Sequence, residues 1–168
     1  MARRPSARKA GSWSRISCRP VTSRTVKEAV LEFMRSHSVA VETSVSSSGV
    51  PQAAVVGFVV TDRFEIFFDT VASTRKAANL RQNPQVAFVI GGFAEGEERT
   101  VQFQGIADEP AGEPLEQLKE LYFQRFPDGR ERLSWPGLIY FRARPTWVRF
   151  SDFKMTPPEI TEFDFPAT

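Results

Sequence analysis

Residues 67–90 read FFDTVASTRKAANLRQNPQVAFVI, and the order of elements in this stretch decides the fold. A strand closes at Asp69, a turn follows, and Ser73 opens a short helix to about Gln82. Asn83-Pro84 stops that helix, because the residue before a proline is pushed out of helical conformation. Residues 85–90 then return as a strand. Ser73-Thr74-Arg75-Lys76 places two hydroxyls and two cations where free backbone N–H groups and the positive end of the helix dipole converge. Cations there oppose the dipole by some tenths of a kcal/mol, a cost that a bound anion would offset. On spacing alone, a solvated surface helix with incidental cations accounts for these residues equally well.

Upstream, Thr25-Val26-Lys27-Glu28 fits a capping box. Ala29, Val30, Phe33 and Met34 follow at helical spacing and predict a helix ending near His37, which is read as its C-cap rather than as a base. Residues 39–45 (VAVETSV) alternate apolar and polar. Residues 52–60 (QAAVVGFVV) are nearly all apolar and predict a central strand covered on both faces. With residues 64–69 they predict an antiparallel meander.

Downstream, residues 91–98 are a glycine-rich acidic loop. Residues 99–108 predict a strand, with Gly105 as a bulge or close-approach point. Residues 113–126 are amphipathic and predict a third helix, ended by Pro127-Asp128-Gly129. Residues 138–143 and 146–151 predict two last strands separated by Pro145, and residues 154–168 an extended C-terminal tail along the surface. Parallel strands would need a crossover helix each, and no such alternation exists. The prediction is a mainly β chain: a six- to seven-stranded antiparallel split barrel with about three helices at its rim.

The net charge of +2 conceals an asymmetry. Residues 1–25 carry seven Arg and Lys and no acid, so the remainder carries +2 − 7 = −5. A mildly acidic body argues against a nucleic-acid-binding domain. Residues 1–24 read as a disordered basic tail, or as a start set too far upstream, in preference to an organellar transit peptide. One cysteine, Cys18, and one histidine, His37, leave no basis for a disulfide framework, a clustered metal site or most histidine triads. No apolar run approaches the length of a membrane span and the start lacks a secretory core, so a cytoplasmic location is expected. The common phosphate loops and the nucleophile elbow are also missing, and the loop acids Glu97-Glu98 and Asp108-Glu109 read as solvated charge.

Three segments in order carry a resemblance: Thr70…Ser73-x-Arg75-Lys76-x-x-Asn79-Leu80-x-x-Asn83-Pro84-x-Val86, then Arg99-x-Val101-x-Phe103-x-Gly105, then Pro145-x-Trp147-Val148-Arg149-Phe150. Together they resemble the pyridoxamine 5′-phosphate oxidase-like family of FMN-binding split barrels, over about residues 26–153. The resemblance implies a split-barrel domain over 25–153 and a homodimer with FMN in a groove between the subunits. It implies that Arg75 and Lys76 hold the FMN phosphate, with Ser73 and Thr74 adding donors. Ala53, Ala54, Val55 and Val56 match the strand beside the isoalloxazine ring. Phe68, Asp69 and Thr70 match the strand end that meets the ribityl chain and ring edge. Gln102, Trp147 and Arg149 would reach the flavin from the partner subunit.

The chain departs from the vitamin B6 oxidase itself. Ala53 or Ala54 stands where that enzyme has an arginine, Thr100 where it has a glutamine, and the C-terminal segment lacks its substrate-binding pattern. The expected activity is therefore FMN-dependent oxidoreduction of a different small molecule, with no catalytic side chain singled out. The alternatives are a non-catalytic FMN or haem sensor module, or a deazaflavin-dependent reductase on the same barrel.

Overall fold

The computed structural model describes residues 25–166; the basic tail and Cys18 lie outside the described residues. Helix α1 (Val26–Ser36) begins with the capping box read from the sequence. Thr25 N donates to Glu28 Oε2 at 2.8 Å, and Glu28 N donates to Thr25 Oγ1 at 3.3 Å. His37 is the C-cap. Its Nδ1 lies 2.9 Å from the Phe33 carbonyl, and its Nε2 lies 2.8 Å from Glu97 Oε1.

Among the described residues, eight strands follow with three further helices: β1 (Val39–Val45), β2 (Pro51–Gly57), β3 (Val59–Val60), β4 (Ile66–Val71), α2 (Arg75–Gln82), β5 (Gln85–Ile90), β6 (Arg99–Asp108), α3 (Gly112–Arg125), α4 (Gly129–Arg132), β7 (Leu138–Asp152) and β8 (Glu159–Asp164). They form one antiparallel sheet in the order β2-β1-β5-β6-β7-β4-β3, with β8 on the free side of β7. The curled sheet and its peripheral helices are those of a split barrel. The barrel interior is aromatic. Phe68 packs edge-on against Phe88, Phe88 edge-on against Phe103, and Phe68 stacks on Phe141. A second core of Val59, Phe67, Leu118, Tyr122, Phe123 and Tyr140 seats α3. No helix among the described residues is long and apolar enough to cross a membrane.

Several elements differ from their sequence reading. The apolar run 52–60 is not one central strand. It splits at Phe58 into β2, at the sheet edge against β1, and β3, which pairs with β4. The first three strands are therefore a hairpin plus a separate pair, not a meander. β7 runs unbroken through Pro145, because the β6–β7 register shifts at Gln104/Gly105 opposite it and frees the proline from a ladder hydrogen bond. The C-terminal segment is more than a surface tail: β8 pairs with Trp147–Asp152, and Phe163 and Phe165 pack on Phe64.

The most consequential difference concerns the faces of β1. A half-buried strand turns its apolar side to the core. Here Ala40, Glu42 and Ser44 point inward and are buried, while Val39, Val41 and Val45 point out. Val41 lies in register with Val55 of β2 and Val89 of β5. Val55 is 68% exposed, so a valine-rich patch stands on the outer face of the sheet. The matching polar groups lie inside the barrel mouth.

Candidate functional site

The chain enters the candidate site from β4. Thr70 and Asp69 are neighbours on that strand and so face opposite ways. Thr70 Oγ1 lies 3.2 Å from Thr74 Oγ1 and accepts from Lys76 Nζ at 3.4 Å. Thr74, not Ser73, is the N-cap of α2, because its Oγ1 accepts from Ala77 N at 3.3 Å. The helix therefore starts at Arg75, so both cations stand in its first turn, and that turn contains no acid. Neither Arg75 nor Lys76 is within ion-pair range of a carboxylate among the described residues.

The helix is tied to the barrel through its buried face. Asn79 Nδ2 donates to Ser44 Oγ at 3.2 Å and to Gln52 Oε1 at 2.8 Å. These bonds span β1 and β2, so the helix start overhangs the inward polar side of that hairpin. Between them lies a cavity of about 370 Å³, lined by Glu42, Ser44, Gln52, Ala53, Ala54, Thr74, Arg75 and Lys76. Two cations without a carboxylate in ion-pair range, free helix N–H groups and the small side chain of Ala54 on one wall fit an elongated ligand with an anionic end. Glu42 is buried there, 1% exposed, and its Oε1 has no hydrogen-bond partner among the described residues. Burial raises its carboxyl above the ordinary range, partly offset by the Ser44 hydroxyl and the Lys76 charge.

The structure thus brings Ala53, Ala54, Thr70, Thr74, Arg75 and Lys76 to one corner. Glu42 and Ser44 were missed from sequence, because nothing in VAVETSV says that its polar side faces in; Gln52 was not singled out, and Asn79 was read only as part of the family motif. Ser73 is exposed at the mouth, outside the cavity lining. Val55 points to the outer face, and Val56 and Phe68 belong to the core, with Phe68 0% exposed. A buried ring cannot line a groove, so Phe68 can meet a ligand only through its backbone. Asp69 faces away and is committed elsewhere: it accepts from Tyr122 OH at 2.9 Å and from Arg132 Nε at 3.0 Å. Gln102, Trp147 and Arg149 are not in this corner of their own chain. They share the outer sheet face, with Gln102 opposite Arg149 and Gln104 opposite Trp147, and Arg149 Nε is buried without a partner.

A larger cavity of about 500 Å³ lies beside Phe64, Arg142, Arg144 and Phe165. Its main cations are already matched: Arg142 Nη2 lies 2.8 Å from Asp108 Oδ2, and Arg144 Nη2 lies 3.2 Å from the same oxygen. The chemistry therefore favours the smaller corner. Among the described residues no three His, Cys, Asp or Glu converge as a metal ion would require.

Comparison with solved structures shows the same fold at low identity. A heme binding protein from Mycobacterium smegmatis superposes with a TM-score of 0.70 at 14% identity, covering 84% of this chain and 59% of that one. The heme storage protein HutZ from Vibrio cholerae gives 0.63 at 20% identity, covering 81% and 92%. The General Stress Protein 26 from Bacillus anthracis gives 0.62 at 18% identity, covering 82% and 98%. The chain spans little more than half the length of the first of these, and likewise 55% of protein Atu2129 from Agrobacterium tumefaciens. No curated protein matches at the sequence level. The family model described as pyridoxamine 5′-phosphate oxidase matches residues 26–152, most of the chain, and the protein belongs to that family.

Proposed function

We propose that this protein is an FMN-binding flavoprotein that works as a homodimer and oxidises or reduces a small molecule. The observation that carries this reading is the α2 corner, where Arg75 and Lys76 stand unpaired above a polar cavity at a helix start. A phosphomonoester dianion matches two cations and free backbone N–H groups in charge and in donor count. The small side chain of Ala54, opposite Glu42 on the inward side of β2, leaves room for a flat ring beside the β2 backbone.

The outer sheet face supports the dimer reading. Val39, Val55 and Val89 stand exposed there, with half-buried Val41 between them, beside Gln102, Trp147 and Arg149. A second copy on this face would bury the valines and deliver the partner's Gln102, Trp147 and Arg149 toward the corner. Bound FMN would supply the redox chemistry; the chain supplies charge, orientation and exclusion of water. Haem is less well served. None of the corner's lining residues is His, Cys, Met or Tyr, and His37 is held against Glu97 at the end of α1.

Titration of the purified protein with FMN, followed by flavin fluorescence and by thermal unfolding, tests the reading. Saturable binding with a raised melting temperature supports it. A colourless protein whose melting temperature is unmoved by excess FMN overturns it.

A further inference from the structure

Glu42 is a buried carboxyl in a cavity otherwise suited to an anion, and the proposed function leaves it without a task. Three elements pack against it. In register, β2 offers Ala54 and β5 offers Phe88, neither of which carries charge. From α2 the charged groups sharing its cavity are Arg75 and Lys76, with Thr74 as a neutral neighbour. On its own strand Ser44 is neutral, and its Oγ accepts from Asn79. Among the described residues, the positive charges that share a cavity with Glu42 are thus those that a phosphate would claim.

We propose that Glu42 takes up one proton from solvent when a phosphate-bearing ligand enters this cavity, and then serves as a neutral hydrogen-bonding acid on the ligand's polar chain. The inference rests on the flavin reading and adds how the cavity accepts the cofactor. An ionised carboxylate buried beside a dianion is repelled by it and loses the share of Lys76 that had held it. Protonation removes the repulsion and converts the unpartnered Oε1 edge of the carboxyl into a group that can donate or accept. The proton comes from the buffer and no bond is broken.

The sign follows from the carboxyl's position, already above its ordinary value of 4.5 through burial and raised further by the bound anion. Between those two values the complex holds more protons than the free protein, so affinity falls as pH rises. Full coupling to one proton changes Kd about tenfold per pH unit.

The test is FMN binding to the wild-type protein and to Glu42→Gln from pH 5 to 8, with calorimetry in two buffers of different ionisation enthalpy. Protonation of the FMN phosphate affects both proteins alike, so the ratio of their Kd values isolates Glu42. The expected result is a ratio that grows with pH, tighter binding by Glu42→Gln at the alkaline end, and proton uptake in the wild type beyond that of the variant. Above about pH 7, where the FMN phosphate is already mostly a dianion, net proton uptake by the wild type reads Glu42 without a variant and stands even where Glu42→Gln folds poorly. FMN binding with a ratio independent of pH and equal proton uptake overturns the inference and leaves the flavin reading intact. Failure of both proteins to bind FMN overturns that reading and this inference with it.

Discussion

Asn79 Nδ2 donates a 3.2 Å hydrogen bond to Ser44 Oγ, and this buried contact fixes the start of α2 over the barrel mouth. The same amide also donates to Gln52 at 2.8 Å, so a single side chain registers helix α2 against β1 and β2. Asn79→Ala would leave Ser44 and Gln52 short of a donor. A loss of about 1–3 kcal/mol in folding stability is expected by chemical denaturation, together with weaker FMN binding. Wild-type stability in this variant would show that the contact does not hold the corner.

Arg75→Ala and Lys76→Ala should each weaken FMN binding by about 1.5–3 kcal/mol through loss of a charge-assisted hydrogen bond. Riboflavin, which lacks the phosphate, should bind all variants alike. Melting temperatures of the unliganded proteins should barely change, because neither cation holds a carboxylate partner. Equal FMN affinity in the double variant would place the anion elsewhere.

Val55→Glu tests the outer face. Val55 is exposed in the protomer, so a single chain tolerates the charge. Across a self-complementary interface the substitution buries an unpaired charge from each copy. Light scattering after gel filtration should report monomer for the variant and dimer for the wild type, with unchanged far-ultraviolet circular dichroism. A wild-type monomer at micromolar concentration would refute the interface.

Tyr122 sets an alkaline limit on stability. Its phenol is buried and donates to Asp69, and burial, reinforced by the Asp69 charge, pushes its ionisation well above the ordinary value of 10.0. A group whose ionisation is raised on folding contributes stability that is full below its unfolded value and lost as pH rises beyond it. The protein should therefore lose stability from about pH 10 upward. Tyr122→Phe should flatten that limb at a cost of about 1 kcal/mol near neutrality. Urea unfolding at several pH values reads both effects.

Gly105 is a point of close backbone approach. A Cβ there would meet the Arg144 carbonyl oxygen at 2.3 Å and the Phe103 ring at 2.7 Å. Gly105→Ala should cost about 1–3 kcal/mol or more, since backbone cannot yield as a side chain can. Unchanged denaturation would mean that the β6–β7 bulge is not as tight as it stands.

The sequence by itself determined the local elements. The Thr25 capping box, the Asn83-Pro84 stop and the Gly105 bulge each depend on hydrogen bonds or steric contacts set within a few residues or by a residue's own chemistry. The antiparallel class and the cationic start of α2 followed from the same signals, whereas the six or seven strands expected became eight, because 52–60 split, 138–152 joined and the C-terminal segment paired as β8. Only the tertiary structure decided which face of each strand turns inward. A period of two yields two faces but does not say which meets the core, and in β1 the polar face does. That is why Glu42 and Ser44 came into the site, and why Asp69 left it while Thr70 stayed. It is also why an apolar run at β2 stands on an edge: a strand's cover is set by distant chain, or by a second chain, and not by its own residues.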